Sequence, residues 1–254
     1  MDLATPAIIP ALLTPFRPDG AVSPVVEAVI AAAGGRVPVI AHVGRPGTQP
    51  TIELGRRALD AGADAIAAVV PYYHPLEPAM IVAHYRAVMD GLGAERVLAY
   101  CIPSHGLNML APDDLGTLAR EGLAGFKDST MSADDHDAYA AAVRASGRED
   151  FVLLVGLGAL LVRSLRAGSA GAVLGIANVH PDLCLRVRDA VRAGRDDETE
   201  RLQAELAAAE AALMAFPDLK RATAERLGAE AGIDYGPHMR APFGPLRRAA
   251  AQRA

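Results

Sequence analysis

The sequence predicts an α/β fold: a (β/α)8-type TIM barrel lacking about one β/α unit, with a C-terminal helical segment. Three observations carry this. Short apolar runs alternate with helical segments at intervals of roughly 25 to 35 residues. The runs are apolar throughout, as strands buried on both faces of a parallel sheet are. Finally, no Gly-rich phosphate loop follows the first strand, which argues against a doubly wound nucleotide-binding sheet.

Seven strands are predicted, at 7–16, 37–44, 64–73, 96–103, 123–127, 151–156 and 171–178, where a closed barrel has eight. The first ends in a turn punctuated by Pro18 and Gly20. Ser23 and Pro24 then open a helix over 24–34 that stops at Gly34-Gly35. Further helices are expected at 51–63, 79–91, 112–120, 132–145 and 159–168, each between two strands. From Pro181 the strands stop, and helices at 181–193, 196–215 and 218–230 precede an irregular tail. The expected division is a barrel over 1–180 and a helical segment over 181–254 packed on it.

Composition narrows the function. Hydrophobic residues make up 51% and charged residues 22%, enough apolar material for a sizeable core. The net charge of -5, with no basic block, argues against nucleic acid or an anionic membrane as partner. Cys101 and Cys184 have no metal-ligand or disulfide spacing and read as small buried hydrophobes. No metal site is expected. Without a basic leader or a long apolar span, the reading is a cytoplasmic, soluble protein.

The stretch LAGFKDST, residues 123–130, carries the chemistry. An apolar strand ends in Lys127, and a lysine at the edge of an apolar interior has its pKa pulled down because burial disfavours the charge. A neutral amine attacks carbonyls, so the placement suits Schiff-base chemistry. The plainer alternative is a solvated strand-end lysine. In an α/β barrel, functional groups gather at the C-terminal ends of the strands. Those positions hold Thr14, Tyr72, Tyr73, Tyr100, Lys127, Gly156 and the segment Gly175 to Asn178. Tyr100 and Tyr73 read equally as structural tyrosines with satisfied hydroxyls.

Several segments together resemble the dihydrodipicolinate synthase / N-acetylneuraminate lyase family of pyruvate-dependent class I aldolases. They are IIPALLTPFRPDGAV, VVPYYHPLEPAMIVAHYRAV, YCIPSHGLNML, GFKDST, LLVGLGALL and GAVLGIANVHP, in the family's order and spread over nearly the whole chain. The resemblance implies that Lys127 condenses with the C2 carbonyl of a 2-oxo acid, typically pyruvate. Tyr100 would relay protons, and Tyr73 would match a tyrosine that crosses a subunit interface in the synthases. Gly156 and Val173 would lie beside the bound substrate, with Thr14 and His105 as further contacts. No cofactor is implied, since the imine on Lys127 is the electron sink, and the expected assembly is a homo-oligomer, dimer or tetramer.

Two departures stand out. The family's second strand and its Gly-Thr-Thr-Gly-Glu loop, which binds the pyruvate carboxylate, have no counterpart between the strand at 7–16 and the one at 37–44. Three accommodations are open: the flanking strands close up, a partner fills the gap, or the barrel is distorted. Where the synthases place an arginine after Pro-Ser, this chain has His105, either a polar contact or a solvated loop residue. Besides a synthase-like aldolase, two readings stay open: a catalytically impaired relative with a binding or assembly role, and a lyase acting on a sugar-derived 2-oxo acid.

Overall fold

The computed structural model describes residues 7–12, 25–213 and 216–232. Among them lie seven strands: β1 (Ala7–Pro10), β2 (Ile40–His42), β3 (Ala65–Val69), β4 (Val97–Cys101), β5 (Gly125–Asp128), β6 (Val152–Val155) and β7 (Gly171–Leu174). All pair in parallel, in the order β1-β7-β6-β5-β4-β3-β2. The sheet curls into a TIM-like half-barrel, and among the described residues no strand joins β1 to β2, where the sequence lacks a unit. The two seam strands are short, four and three residues, which limits the unpaired backbone groups they expose. The apolar runs read as strands of up to ten residues hold shorter ladders, and the run through β3 continues into a buried connection at the barrel mouth. Val70, for example, still donates to the carbonyl of Tyr100 just past the end of β3.

Helices wrap the outside: α1 (Val25–Ala33), α2 (Thr48–Asp60), α3 (Pro78–Leu92), α4 (Pro112–Arg120), α5 (Ala133–Ala145) and α6 (Leu161–Arg166). α7 (Pro181–Arg192), α8 (Asp196–Ala212) and α9 (Phe216–Ala231) complete the described chain. Proline opens α3, α4 and α7, where its missing N–H costs nothing. Ser132 caps α5 by accepting from the Asp135 N–H at 3.1 Å. Tyr85 and Tyr139 are buried against the sheet and donate to the carbonyls of Ala68 (3.0 Å) and Leu110 (2.6 Å), which docks α3 and α5. Cys101 and Cys184 are buried free thiols. Among the described residues no helix is long and apolar enough to cross a membrane.

Strand parity separates two layers. Ala41, Ile66, Ala99, Phe126 and Leu153 point outward into the main core under the helices. Ala65, Leu98, Val152 and Leu154 fill the barrel interior, with Ile9, Ile40 and Val173 packed against them. The C-terminal helices share a core with β7: Val187, Leu202 and Leu206 cluster with Ala172 and Leu174. Gly171 permits the last pairing. Its φ is 142°, and a Cβ there would lie 2.0 Å from the Ala7 carbonyl oxygen.

Candidate active site

Inward parity at the C-terminal mouth brings together Tyr100 on β4, Lys127 on β5 and His42 on β2. The register pairs Tyr100 with Lys127 directly. The Lys127 Nζ lies 3.9 Å from the Tyr100 ring centroid, over its face. Burial holds the amine down to about 8. Burial raises the pKa of the Tyr100 phenol above the ordinary value, outweighing the lowering effect of the neighbouring Ser129 hydroxyl. The phenol therefore keeps its proton at neutral pH, beside an amine that readily loses one.

The loop after β5 is locked from behind. Asp128 has opposite parity to Lys127 and is almost fully buried. Its carboxylate accepts from the Thr130 N–H and the Thr130 hydroxyl, each at 2.8 Å. Its other oxygen is 2.8 Å from Nδ1 of His136, a fully buried residue of α5. These bonds tie the end of β5 to α5 and so fix the strand that presents Lys127. The backbone N–H of Ser129 donates to the Cys101 carbonyl at 2.9 Å, placing the hydroxyl under Tyr100. Gly156, after β6, donates to the Asp128 carbonyl at 2.6 Å. A Cβ on Gly156 would lie 1.9 Å from the Ser129 Oγ, so only glycine leaves room for that hydroxyl.

His42 is a residue the sequence reading did not single out. Only Ala67 stands beside it in the register with β3, so its ring reaches Tyr100, with centroids 5.8 Å apart and planes at 86°. Burial, then the charges of Lys127 and Arg45, lower its pKa to about 4. All three act in one direction, so the imidazole is neutral at pH 7 although part of the residue is open to solvent.

The other expected contacts lie at different places. Val173 faces the interior, one strand beyond Gly156, paired with Ile9. Tyr73 is 69% exposed on the loop after β3, and its ring meets His74 at 4.7 Å rather than the lysine. His105 is exposed on the turn after β4, with Nδ1 2.8 Å from the Ser104 hydroxyl. Thr14 lies outside the described residues. Above β7, Asn178 donates to the carbonyls of Ala11 and Gly175, both at 2.8 Å, which ties β1 to the mouth. α9 crosses nearby, with Leu219 close to Gly175 and Arg226 donating to the Asn178 carbonyl.

Comparison with known proteins agrees with this fold. Residues 22–254 match the model of the dihydrodipicolinate synthetase family. An uncharacterized DapA-like lyase of Halobacterium salinarum is 37% identical over 233 residues, 91% of this chain and 72% of that protein. A 4-hydroxy-tetrahydrodipicolinate synthase of Methylobacterium radiotolerans is 34% identical over 171 residues, 67% of this chain and 56% of that protein. The fold matches YagE, an Escherichia coli K12 prophage protein of the dihydrodipicolinic acid synthase family solved with pyruvate. That match has a TM-score of 0.85 at 22% identity, covering 94% of this chain and 93% of YagE.

Proposed function

The chain belongs to the dihydrodipicolinate synthetase family, and on that footing we propose that it is a class I aldolase or lyase acting through Lys127. The amine adds to the C2 carbonyl of pyruvate or a related 2-oxo acid and water leaves, forming an imine. Protonated, the imine draws electrons from C3, and loss of a C3 proton gives an enamine. The enamine attacks an aldehyde carbonyl to form a C–C bond; the reverse sequence cleaves one. Hydrolysis then returns the lysine and the product. Tyr100, protonated and beside Lys127, is the group positioned to move the proton.

The single observation that carries this reading is the lysine itself. It is inward-facing, at the C-terminal mouth, with its pKa lowered to about 8, against the ring of a phenol that keeps its proton. The open seam between β1 and β2 favours a second reading, a family member that keeps fold and lysine for binding or assembly without turnover.

Proton exchange separates the two. With millimolar pyruvate in D2O, an aldolase exchanges the methyl protons through the enamine, followed by NMR, and Lys127→Arg abolishes the exchange. A folded wild-type protein that exchanges no protons contradicts the enzymatic reading. A panel of aldols, including sugar-derived 2-oxo acids, then identifies the aldehyde partner by the pyruvate released.

A further inference from the structure

A 2-oxo acid carries its carboxylate one bond away from the carbonyl carbon. Any group that recognises this carboxylate must therefore stand beside the amine that meets the carbonyl. Three polar side chains flank Lys127 on the inner wall: Tyr100, Ser129 and His42. Ser129 acts on the Tyr100 phenol, lowering its pKa. His42 has no hydrogen-bond partner among the described residues. Its ring lies 5.8 Å, centroid to centroid, from the Tyr100 ring, whose face carries the Lys127 Nζ at 3.9 Å.

The position and charge of His42 suit an incoming anion. Among the described residues β2 has no partner strand on its seam side, and His42 is exposed. The neutral imidazole always carries one N–H. The charges of Lys127 and Arg45 both act on His42. The Arg45 guanidinium is bonded only to the Gly44 carbonyl, at 3.4 Å, and has no carboxylate partner among the described residues.

We propose that His42 is a substrate-binding residue that donates its imidazole N–H to the carboxylate of the 2-oxo acid held at Lys127, with Arg45 adding favourable charge. The proposal rests on the imine reading above. It makes His42 the source of the preference for 2-oxo acids over neutral ketones.

The test is borohydride trapping across a range of ketone concentrations, comparing pyruvate with its neutral methyl ester in wild type, His42→Ala and His42→Asn, each checked for folding by thermal melting. Wild type is expected to half-saturate at lower pyruvate than ester. His42→Ala raises the pyruvate half-saturation about 10- to 100-fold, the worth of one hydrogen bond to a charged group, and changes the ester's by less than about twofold. His42→Asn, which keeps an N–H donor, restores part of the preference and serves if the alanine variant fails to fold. Adducts from both ketones with an unchanged ratio in both variants overturn the role of His42 and leave the imine reading intact. No adduct from either ketone in folded wild type overturns the imine reading, and this one with it.

Discussion

Lys127 lies over the face of Tyr100, its Nζ 3.9 Å from the ring centroid. The contact follows from the pairing of these two residues across β4 and β5, which points both side chains inward at the same level. Two effects then oppose each other at the amine. The ring face favours the ammonium, a term of about 1 kcal/mol. Burial favours the neutral form and prevails, leaving the pKa near 8.

The first prediction is a pH profile. A lysine with a lowered pKa sheds its proton as pH rises through about 8. The rate of cyanoborohydride-trapped imine formation should therefore climb up to about tenfold per pH unit from pH 6 and level off above about 8. A rate still climbing at that slope up to pH 10 would show an ordinary, solvated lysine.

Tyr100→Phe keeps the ring under Lys127 and removes only the phenol. The trapped adduct should form nearly as in wild type, while exchange of the pyruvate methyl protons falls about 100-fold or more. Unchanged exchange, measured by NMR in D2O, would take the proton-relay role away from Tyr100.

Gly156→Ala places a methyl 1.9 Å from the Ser129 Oγ and 2.9 Å from the Asp128 carbonyl. The serine can rotate away, but the carbonyl is backbone. Urea unfolding should show a loss of about 1–3 kcal/mol, the usual cost of overpacking. Adding Ser129→Gly should recover only part of it; full recovery would mean that the backbone contact costs nothing.

Asp128→Ala leaves the buried His136 without its partner and frees the loop that follows Lys127. The expected loss is about 3 kcal/mol, since His136 Nε2 already lacks a partner and Nδ1 would join it. A change below about 1 kcal/mol in urea unfolding would show that the pair does not hold the strand end.

The strand positions and the missing unit were legible because a parallel strand announces itself as an apolar run, and none lies between the run ending at Phe16 and the one beginning at Val37. The seam between β1 and β2 is the structural form of that absence. Lys127, Tyr100 and Gly156 were legible as strand-end residues in a barrel. His42 was not. A strand buried on both faces has no polar alternation, so which residues point inward emerges only from the register with β3. The Asp128–His136 pair was hidden for another reason: one partner ends a strand and the other lies in a helix, and no local spacing links them. Tyr73 shows the converse. Its motif is clear, but its 69% exposure emerges only from the structure.

The central claim is that Lys127 forms an imine with a 2-oxo acid. Its most direct test is to incubate the folded protein with pyruvate and borohydride, digest it and map the adduct by mass spectrometry. One reduced pyruvate on the peptide containing Lys127, absent from Lys127→Arg, is the predicted result. An unmodified Lys127 in folded protein at millimolar pyruvate, or an adduct confined to other lysines, would contradict it.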